Sequence, residues 1–176
     1  NTSAEKQLTT TKARQETAPH HKAGTTKTTH HPGQPPHPAQ AVKVQPMLKH
    51  QFSCEAQPEY LPEQSDARQG LYAFAYTITI TNTGSVPAQL IARHWIITDA
   101  VGHTEEVKGL GVVGQQLLLK PGESFQYTSG TRLRTPSGLM RGHFFCVAED
   151  AERFEAEVPA FVFDALGSGA PGRVLH

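Results

Sequence analysis

The sequence contains little cysteine, few aromatic residues and no net charge. Its two cysteines match no zinc-binding pattern and build no disulfide framework, so they fit a reducing compartment and allow at most one disulfide. Aromatic residues make up 7% of the chain, with a single tryptophan, and hydrophobic residues make up 37%. With a mean hydropathy of -0.43, part of the chain is expected to lie outside any core.

No segment has the composition of a membrane span or a signal peptide. The longest uncharged stretch, residues 70–92, is rich in Thr, Asn, Gly and Pro, which excludes a transmembrane helix there. No basic segment followed by an apolar one opens the sequence. We therefore expect neither a signal peptide nor a membrane partner.

A shift in composition near residue 45 divides the chain into a basic tail and an acidic body. Residues 1–45 contain six basic and two acidic side chains, a net charge of +4, and the remainder has a net charge of −4. The tail has no aromatic residue and too little apolar surface to offset an ordering cost of about 1–2 kcal/mol per residue. We predict a disordered Thr/His/Pro-rich tail over 1–45, a folded domain over 46–165 and a C-terminal tail over 166–176.

The basic tail contains five histidines: His20, His21, His30, His31 and His37. Imidazole suits zinc, copper and nickel, so a flexible tail could fold back and chelate such an ion. No carboxylate or thiol lies among these histidines to complete a closed site, so a compositional bias in a solvated tail is the favoured interpretation. The tail also lacks stacking aromatics and has a thinly spread charge, so we expect no nucleic-acid partner.

Beyond residue 45, large apolar residues alternate with small or polar ones. Tyr72, Phe74 and Tyr76 alternate with alanine and threonine, which predicts a half-buried strand. Further strands are predicted near residues 48–56, 89–98, 105–113, 125–129, 140–148 and 154–163. No stretch shows a helical period, and residues 62–65 allow one helical turn at most. Seven to eight short strands separated by Gly and Pro turns predict an all-β antiparallel sandwich.

The predicted core collects the large apolar residues of these strands. Its members are Phe52, Tyr72, Phe74, Tyr76, Ile78, Trp95, Phe125, Tyr127, Phe145, Val147, Phe154 and Phe161. A domain of this length should bury roughly 60–70% of the surface that its unfolded chain exposes. We therefore expect the body to fold as one unit.

Residues 109–114, Gly-Leu-Gly-Val-Val-Gly, match the G-x-G-x-x-G pattern of dinucleotide-binding loops. That chemistry needs a helix after the glycines, whereas a Pro-Gly turn follows here, so a Rossmann site is not expected. The amides of Gly109, Gly111 and Gly114 could still form a concave nest for the phosphates of a nucleotide or pyrophosphate. Basic residues in segments that could approach it are Lys108, Arg132 and Arg134. A bend between two strands is the favoured interpretation.

The remaining chemistry-bearing residues demand no catalysis. His94, His103 and His143 would form a metal site only if three strands converged. Cys54 and Cys146 have apolar neighbours, and such surroundings disfavour the reactive thiolate. No Gly-x-Ser-x-Gly motif and no recognisable Cys/His pair is present. We therefore expect no enzyme, no metal site and no cofactor.

A dense series of ordered motifs runs through the body from about residue 50 to 163. It includes Tyr-Leu-Pro-Glu-Gln-Ser at 60–65, Y-x-F-x-Y-x-I-x-I at 72–80, Arg-His-Trp at 93–95, the glycine-rich 109–114, Pro-Gly-Glu at 121–123 and Val-Pro-Ala-Phe at 158–161. In this order the motifs resemble the ApaG family. The resemblance stops short of the tail, and Leu117 stands where the family usually has proline.

The resemblance implies an immunoglobulin-like or fibronectin type III-like sandwich and a cytoplasmic location. The family name is tied to cobalt and magnesium resistance or efflux, and similar eukaryotic modules look like protein-interaction domains. The family provides no established catalytic residues to transfer. We therefore favour a non-enzymatic module that binds a protein partner. The alternative is a small-ligand binder, for a nucleotide, pyrophosphate or divalent cation, at residues 109–114, and a third hypothesis gives the tail histidines a metal-sequestering role.

Overall fold

Strands make up most of the residues that the computed structural model describes, which are 14–16 and 48–167. The strands are β1 (Arg14–Glu16), β2 (Phe52–Tyr60), β3 (Tyr72–Asn82), β4 (Ala88–Asp99), β5 (Thr104–Leu110), β6 (Leu118–Leu119), β7 (Ser124–Leu133), β8 (Ser137–Ala148) and β9 (Arg153–Asp164). Two 3-10 helices, Pro62–Gln64 and Ala67–Gln69, connect β2 to β3. The first of these is the single helical turn that the sequence allows.

The strands form two antiparallel sheets that pack face to face. The first sheet has the order β1-β7-β3-β2, and the second has the order β5-β4-β8-β9 with β6 also pairing with β4. Buried side chains from both sheets meet in one core, and the ring centroids of Phe52 and Phe154 lie 5.4 Å apart between β2 and β9. The predicted all-β antiparallel sandwich is confirmed, and β4 lies between β5 and β8 inside the second sheet.

Alternation along β3 determines which of its side chains enter the core. Phe74, Tyr76 and Ile78 are buried, whereas Thr77 and Thr81 lie on the outer face and hydrogen-bond to β7. The ring centroid of Trp95 lies 6.2 Å from that of Tyr76 across the core and 5.5 Å from that of Phe144 on the neighbouring strand β8. Burial of aromatic rings from both sheets therefore stabilises the sandwich, because each removes a large apolar area from water.

The prediction that Phe145 and Val147 belong to the core is wrong. In β8 the side chains of Phe144 and Cys146 point inward, while Phe145 is 45% exposed and Val147 is only partly buried. Because both faces of this segment are apolar in sequence, alternation alone does not decide which face is buried. Of the other predicted core residues, Tyr72 and Phe154 are partly buried against the core and the rest are buried.

The observed strands also differ from the predicted ones in their bounds and in two short strands that were not predicted. Strand β2 begins at Phe52 rather than near residue 48, and the two-residue β6 is absent from the predicted strands. Strand β1 lies within the tail predicted to be disordered and pairs with β7. The rest of that tail, with its five histidines, and residues 168–176 lie outside the described residues.

Asn82 is a buried polar residue at the end of β3. Its Nδ2 donates to the carbonyl oxygens of Val86 and Leu119, each at 2.9 Å, and its Oδ1 accepts from the Gly84 amide at 2.9 Å. These bonds satisfy the buried amide and connect the β3–β4 turn to β6. Asn82 thereby fixes the position from which β6 pairs with β4.

Candidate functional site

The outer face of the second sheet contains a group of large apolar side chains that the core does not bury. Leu110 is 75% exposed, Leu118 57% and Phe145 45%. Register places Ala92 opposite both Leu110 and Phe145, so these three form one row across β5, β4 and β8. Leu118 lies opposite Gln89, which in turn lies opposite Val147 in the adjacent row. We call Leu110, Leu118, Ala92, Phe145 and Val147 the apolar face.

A row of charged and imidazole side chains borders the apolar face. The ring centroids of His94 and His143 lie 5.2 Å apart, and that of His143 lies 5.0 Å from Phe145. His94 Nε2 hydrogen-bonds to Glu106 Oε2 at 3.0 Å, and Lys108 Nζ lies 3.4 Å from the same oxygen. The hydrogen bond from His94, followed by that from Lys108, lowers the pKa of Glu106. This row therefore keeps an ionised carboxylate beside the apolar side chains.

The structure brings together two of the three body histidines that the sequence singled out. His94 and His143 are cross-strand partners in β4 and β8, whereas His103 lies in the β4–β5 turn, where its amide donates to Asp99 Oδ1 at 2.8 Å. Among the described residues, no group of three or more His, Cys, Asp or Glu side chains is arranged to hold a metal ion. The convergence that a three-histidine site requires is therefore not found in this part of the chain.

The glycine-rich segment leaves β5 and turns back on itself. The amide and carbonyl groups of Val112 and Gln115 exchange two hydrogen bonds, of 2.8 and 2.9 Å. Between them, Val113 and Gly114 have φ angles of 44° and 76°, which are the signs of a type I′ turn. Left-handed backbone is strained for a β-branched residue, so Val113 is an outlier in this turn.

Of the three candidate phosphate-binding residues, Gly109 lies within β5 and Gly111 and Gly114 lie in the turn that follows. A Cβ added to Gly111 would lie 2.1 Å from the Gln115 carbonyl oxygen, so this close approach requires glycine. The Gly111 amide donates to the Ile91 carbonyl at 2.8 Å. The segment thus forms a bend after β5, as the favoured interpretation has it, and the phosphate nest stays a prediction.

Arg93 anchors this bend to β4. Its Nη1 donates to the carbonyl oxygens of Leu110 at 3.2 Å and Gly111 at 2.8 Å. The other basic residues predicted near the segment do not share its surroundings, because Lys108 lies on the outer face of the second sheet and Arg132 belongs to the first. The hydrogen bonds from Arg93 therefore hold the bend to the second sheet. Leu110 precedes the bend and Leu118 follows it.

Both cysteines are free thiols buried in the core. Burial raises the pKa of Cys54 to about 12. Burial also raises the pKa of Cys146 to about 12, with a smaller contribution from Cys54. Because thiolate is the reactive form, these residues are unreactive in the folded protein, as their apolar neighbours predict.

Sequence reasoning missed the apolar face. The sequence feature that could have revealed it is the presence of apolar residues on both faces of β4 and β8. Consecutive residues such as Phe144 and Phe145 point to opposite faces of the sheet, so only one of them can face the core of a two-sheet sandwich. Leu110 and Leu118 give no comparable signal, because their exposure depends on the bend between them. Only the three-dimensional register brings these residues into one surface.

The topology and the packing define the class of the protein as a two-sheet, antiparallel β-sandwich domain of the immunoglobulin-like kind. A family model described as the ApaG domain matches residues 62–148. Protein ApaG of Acidovorax sp. (strain JS42) is 63% identical over 136 residues, which cover 74% of this chain and 99% of the relative. Protein ApaG of Ralstonia nicotianae is 56% identical over 130 residues, covering 74% of this chain and 100% of the relative. The chain belongs to the ApaG family.

Solved structures of similar sequence have the same fold. A crystal structure from Bordetella pertussis, described as an ApaA protein, superposes with a TM-score of 0.68 and is 52% identical, covering 69% of this chain and 99% of that one. A second X-ray structure has a TM-score of 0.63 and 43% identity and covers 71% of this chain and 95% of that one. Within the described residues, no helix has the length and hydropathy to cross a membrane.

Proposed function

We propose that this protein is a non-enzymatic binding module that recognises a protein partner through the apolar face. The observation that supports the proposal is the alignment of exposed Leu110 and Phe145 with half-buried Ala92 in one row across three strands. Contiguous exposed apolar patches often mark interaction sites on soluble proteins, whereas single scattered apolar side chains do not. A row of such side chains on a rigid sheet can bind without ordering a loop.

The surroundings of the apolar face suggest the chemistry of its partner. Glu155 and Glu157 of β9 are exposed and lie opposite Phe145 and His143, so one border is acidic. Protein interfaces commonly combine an apolar centre with a polar rim, and charge complementarity at the rim guides association. We expect a partner with an aliphatic or aromatic centre and basic side chains where it meets β9.

Family membership supports two further parts of the proposal. The link between the ApaG family name and cobalt and magnesium suggests that binding by this module contributes to tolerance of these ions. Membership of the ApaG family is also the reason why we propose a cytoplasmic location. Growth on cobalt of a strain that lacks the protein tests the first part: wild type should restore tolerance, and a variant without the apolar face should not. Fractionation of cells tests the second.

Partner capture with matched variants tests the apolar face itself. The full chain is compared with the Leu110→Ser/Phe145→Ser variant, and Val101→Ser serves as the control because Val101 is 80% exposed in the β4–β5 turn. A true partner should co-purify with wild type and with the control, and calorimetry should show at least about a tenfold weaker complex for the double variant. Equal capture by all three proteins would overturn the proposal, provided that their melting temperatures agree.

The second candidate function is small-ligand binding at residues 109–114, for a nucleotide, pyrophosphate or divalent cation. The strained φ of 44° at Val113 favours it, because strained backbone often occurs at ligand-binding sites. A Cβ at Gly114 would have no atom within 4 Å, so this side of the turn is open. Amide NMR titration with magnesium pyrophosphate should give shifts confined to this segment, and no shifts at millimolar ligand would reject the candidate.

A further inference from the structure

A row of polar side chains crosses the outer face of the second sheet and has opposite charges at its two ends. Lys108 of β5 lies opposite His94 of β4, which lies opposite His143 of β8. Glu157 of β9 lies opposite His143 and ends this histidine row. Lys108 and Glu157 are both exposed, and three strand spacings, about 14 Å in total, separate them. They are therefore too far apart to pair within one chain.

The adjacent row of the apolar face also differs between its two halves. This phenylalanine row consists of Leu110, Ala92, Phe145 and Glu155. The small, half-buried Ala92 leaves a depression over β4, whereas Phe145 is 45% exposed and projects from β8. A surface on which a projection lies beside a depression, and a basic edge lies across from an acidic one, is complementary to a second copy of itself.

A two-fold axis that runs between β4 and β8, parallel to the strands, brings each of these features onto its complement. Such an axis places β5 of one copy over β9 of the other and β4 over β8, and each row stays over itself. Lys108 then meets Glu157 of the second copy, and Phe145 meets Ala92 of the second copy. Each contact occurs twice, because the two copies use the same surface.

An axis that runs across the strands does not fit these charges. It would place every strand over its own copy, so that a residue on the axis would meet itself. Through the histidine row it would set Lys108 against Lys108 and Glu157 against Glu157, and through the phenylalanine row it would set Glu155 against Glu155. Like charges in opposition disfavour association. An axis close to the strand direction also agrees with the packing of twisted sheets, whose strand directions lie within about 30° of each other.

We propose that the apolar face binds a second copy of this chain, sheet against sheet, about the axis parallel to the strands. The inference rests on the proposed function, because it names the partner of that same surface. The second copy supplies Lys108 over β9, where a basic side chain is expected. Four strands and four rows of side chains cover roughly 500 Å² per copy, which is at the low end for specific interfaces. The dimer is therefore weak, with a dissociation constant of about 100 µM.

Sedimentation equilibrium of the full chain, at concentrations up to about 1 mM, tests the dimer and its charges. Lys108→Glu and Glu157→Lys should each weaken dimerisation at least about tenfold, because two like-charge contacts replace two ion pairs. Lys108→Glu also removes the 3.4 Å contact with Glu106, whereas Glu157→Lys leaves it in place, so equal effects exclude a local cause. The matched control is Glu55→Lys, which reverses an exposed charge on β2 of the first sheet and should leave dimerisation unchanged.

A mixture of the two charge-reversal variants tests the register. When a Lys108→Glu copy meets a Glu157→Lys copy, both contacts again join opposite charges. The equimolar mixture should therefore dimerise at least about tenfold more tightly than either variant alone. Because about 14 Å separates the two positions within one chain, this rescue requires contact between copies. A mixture that associates no better than its components, with melting temperatures equal to that of wild type, would overturn the proposal.

Failure of this inference and failure of the proposed function give different results. A wild type that stays monomeric at about 1 mM rejects the second copy as partner. Partner capture that still depends on Leu110 and Phe145 would then assign the apolar face to a different protein and preserve the proposed function. A dimer that forms equally well with the Leu110→Ser/Phe145→Ser variant uses another surface, which also rejects this inference and leaves partner capture to decide the proposed function.

Discussion

Asn82 Nδ2 donates to the carbonyl oxygen of Leu119 at 2.9 Å, joining the end of β3 to β6. This contact spans the two sheets, because β3 belongs to the first and β6 to the second. The same side chain also bonds to Val86 and to the Gly84 amide. Removing it leaves buried backbone groups without a partner.

Asn82→Ala should therefore lower the free energy of unfolding by about 2–4 kcal/mol. Thr83→Ala is the control, because the Thr83 hydroxyl is exposed and makes only a 3.4 Å contact with the Gln51 carbonyl. That change should stay within about 0.5 kcal/mol. Urea denaturation of both variants measures the difference, and equal stabilities would show that the Asn82 network is energetically unimportant.

Adjacent phenylalanines in β8 should respond to truncation in opposite ways. Phe144 is fully buried, so Phe144→Ala should reduce the free energy of unfolding by about 3–5 kcal/mol through lost burial and a residual cavity. Phe145 is 45% exposed, so Phe145→Ala should cost less than about 1 kcal/mol. Thermal and urea unfolding of the two variants check this. A larger loss for Phe145→Ala would contradict the orientation of β8.

Gly142 occupies a position where no other residue fits. A Cβ there would lie 2.1 Å from the His94 carbonyl oxygen and 2.6 Å from the Trp95 ring. Gly142→Ala should therefore destabilise the fold by about 3 kcal/mol through overpacking. Gly102→Ala is a useful comparison, since its Cβ would meet nothing within 4 Å and its φ of +87° is the only strain. Denaturation should give the smaller loss, about 1–2 kcal/mol, for that variant.

The ionisation of Asp150 makes the stability of the folded protein depend on pH. Lys49 Nζ lies 2.6 Å and His50 Nε2 2.9 Å from Asp150 Oδ2, and the hydrogen bond from Lys49, followed by that from His50, lowers the pKa of this carboxyl well below its usual range. A lowered folded-state pKa gives stability that is present above the unfolded-state value and is lost as pH falls through the folded-state one.

Asp150→Asn should therefore lower the melting temperature at pH 6, and its difference from wild type should shrink as the pH falls below about 4. Glu149→Gln controls for removal of an acidic residue from the same turn. Melting curves between pH 2 and pH 7 measure the effect. A difference that is constant across this range would show that the ion pair with Lys49 and His50 does not contribute.

The sequence predicted those parts of the fold where one pattern has one physical meaning. Strand β3 has large residues on one face and threonines on the other, so its period, its buried face and its end at the Asn82 turn were all predictable. Strand β8 has apolar residues on both faces, and its orientation depends on pairing with β4 and β9, which are distant along the chain. Strand β6 is too short to have a period.

The candidate surfaces were less predictable, because they depend on register and on contacts between distant segments. Leu110 and Leu118 join Phe145 and Val147 on one surface only through pairing with β4. The hydrogen bonds from Arg93 to the Leu110 and Gly111 carbonyls have no sequence signature. The glycine pattern at 109–114 did predict a bend, since its spacing without a following helix fits a turn better than a dinucleotide site.

The contact between Gly142 and Trp95 also bears on how the chain reaches its native state. A slip of β8 by one residue would put Phe145 in place of Phe144 and Val147 in place of Cys146, so hydrophobic burial at these two positions would barely penalise the error. The same slip would put His143 in the place of Gly142 against the Trp95 ring, where only glycine fits. The lack of space at Gly142 therefore favours the native register of β8, and we expect its replacement to increase misaligned, aggregation-prone intermediates during folding.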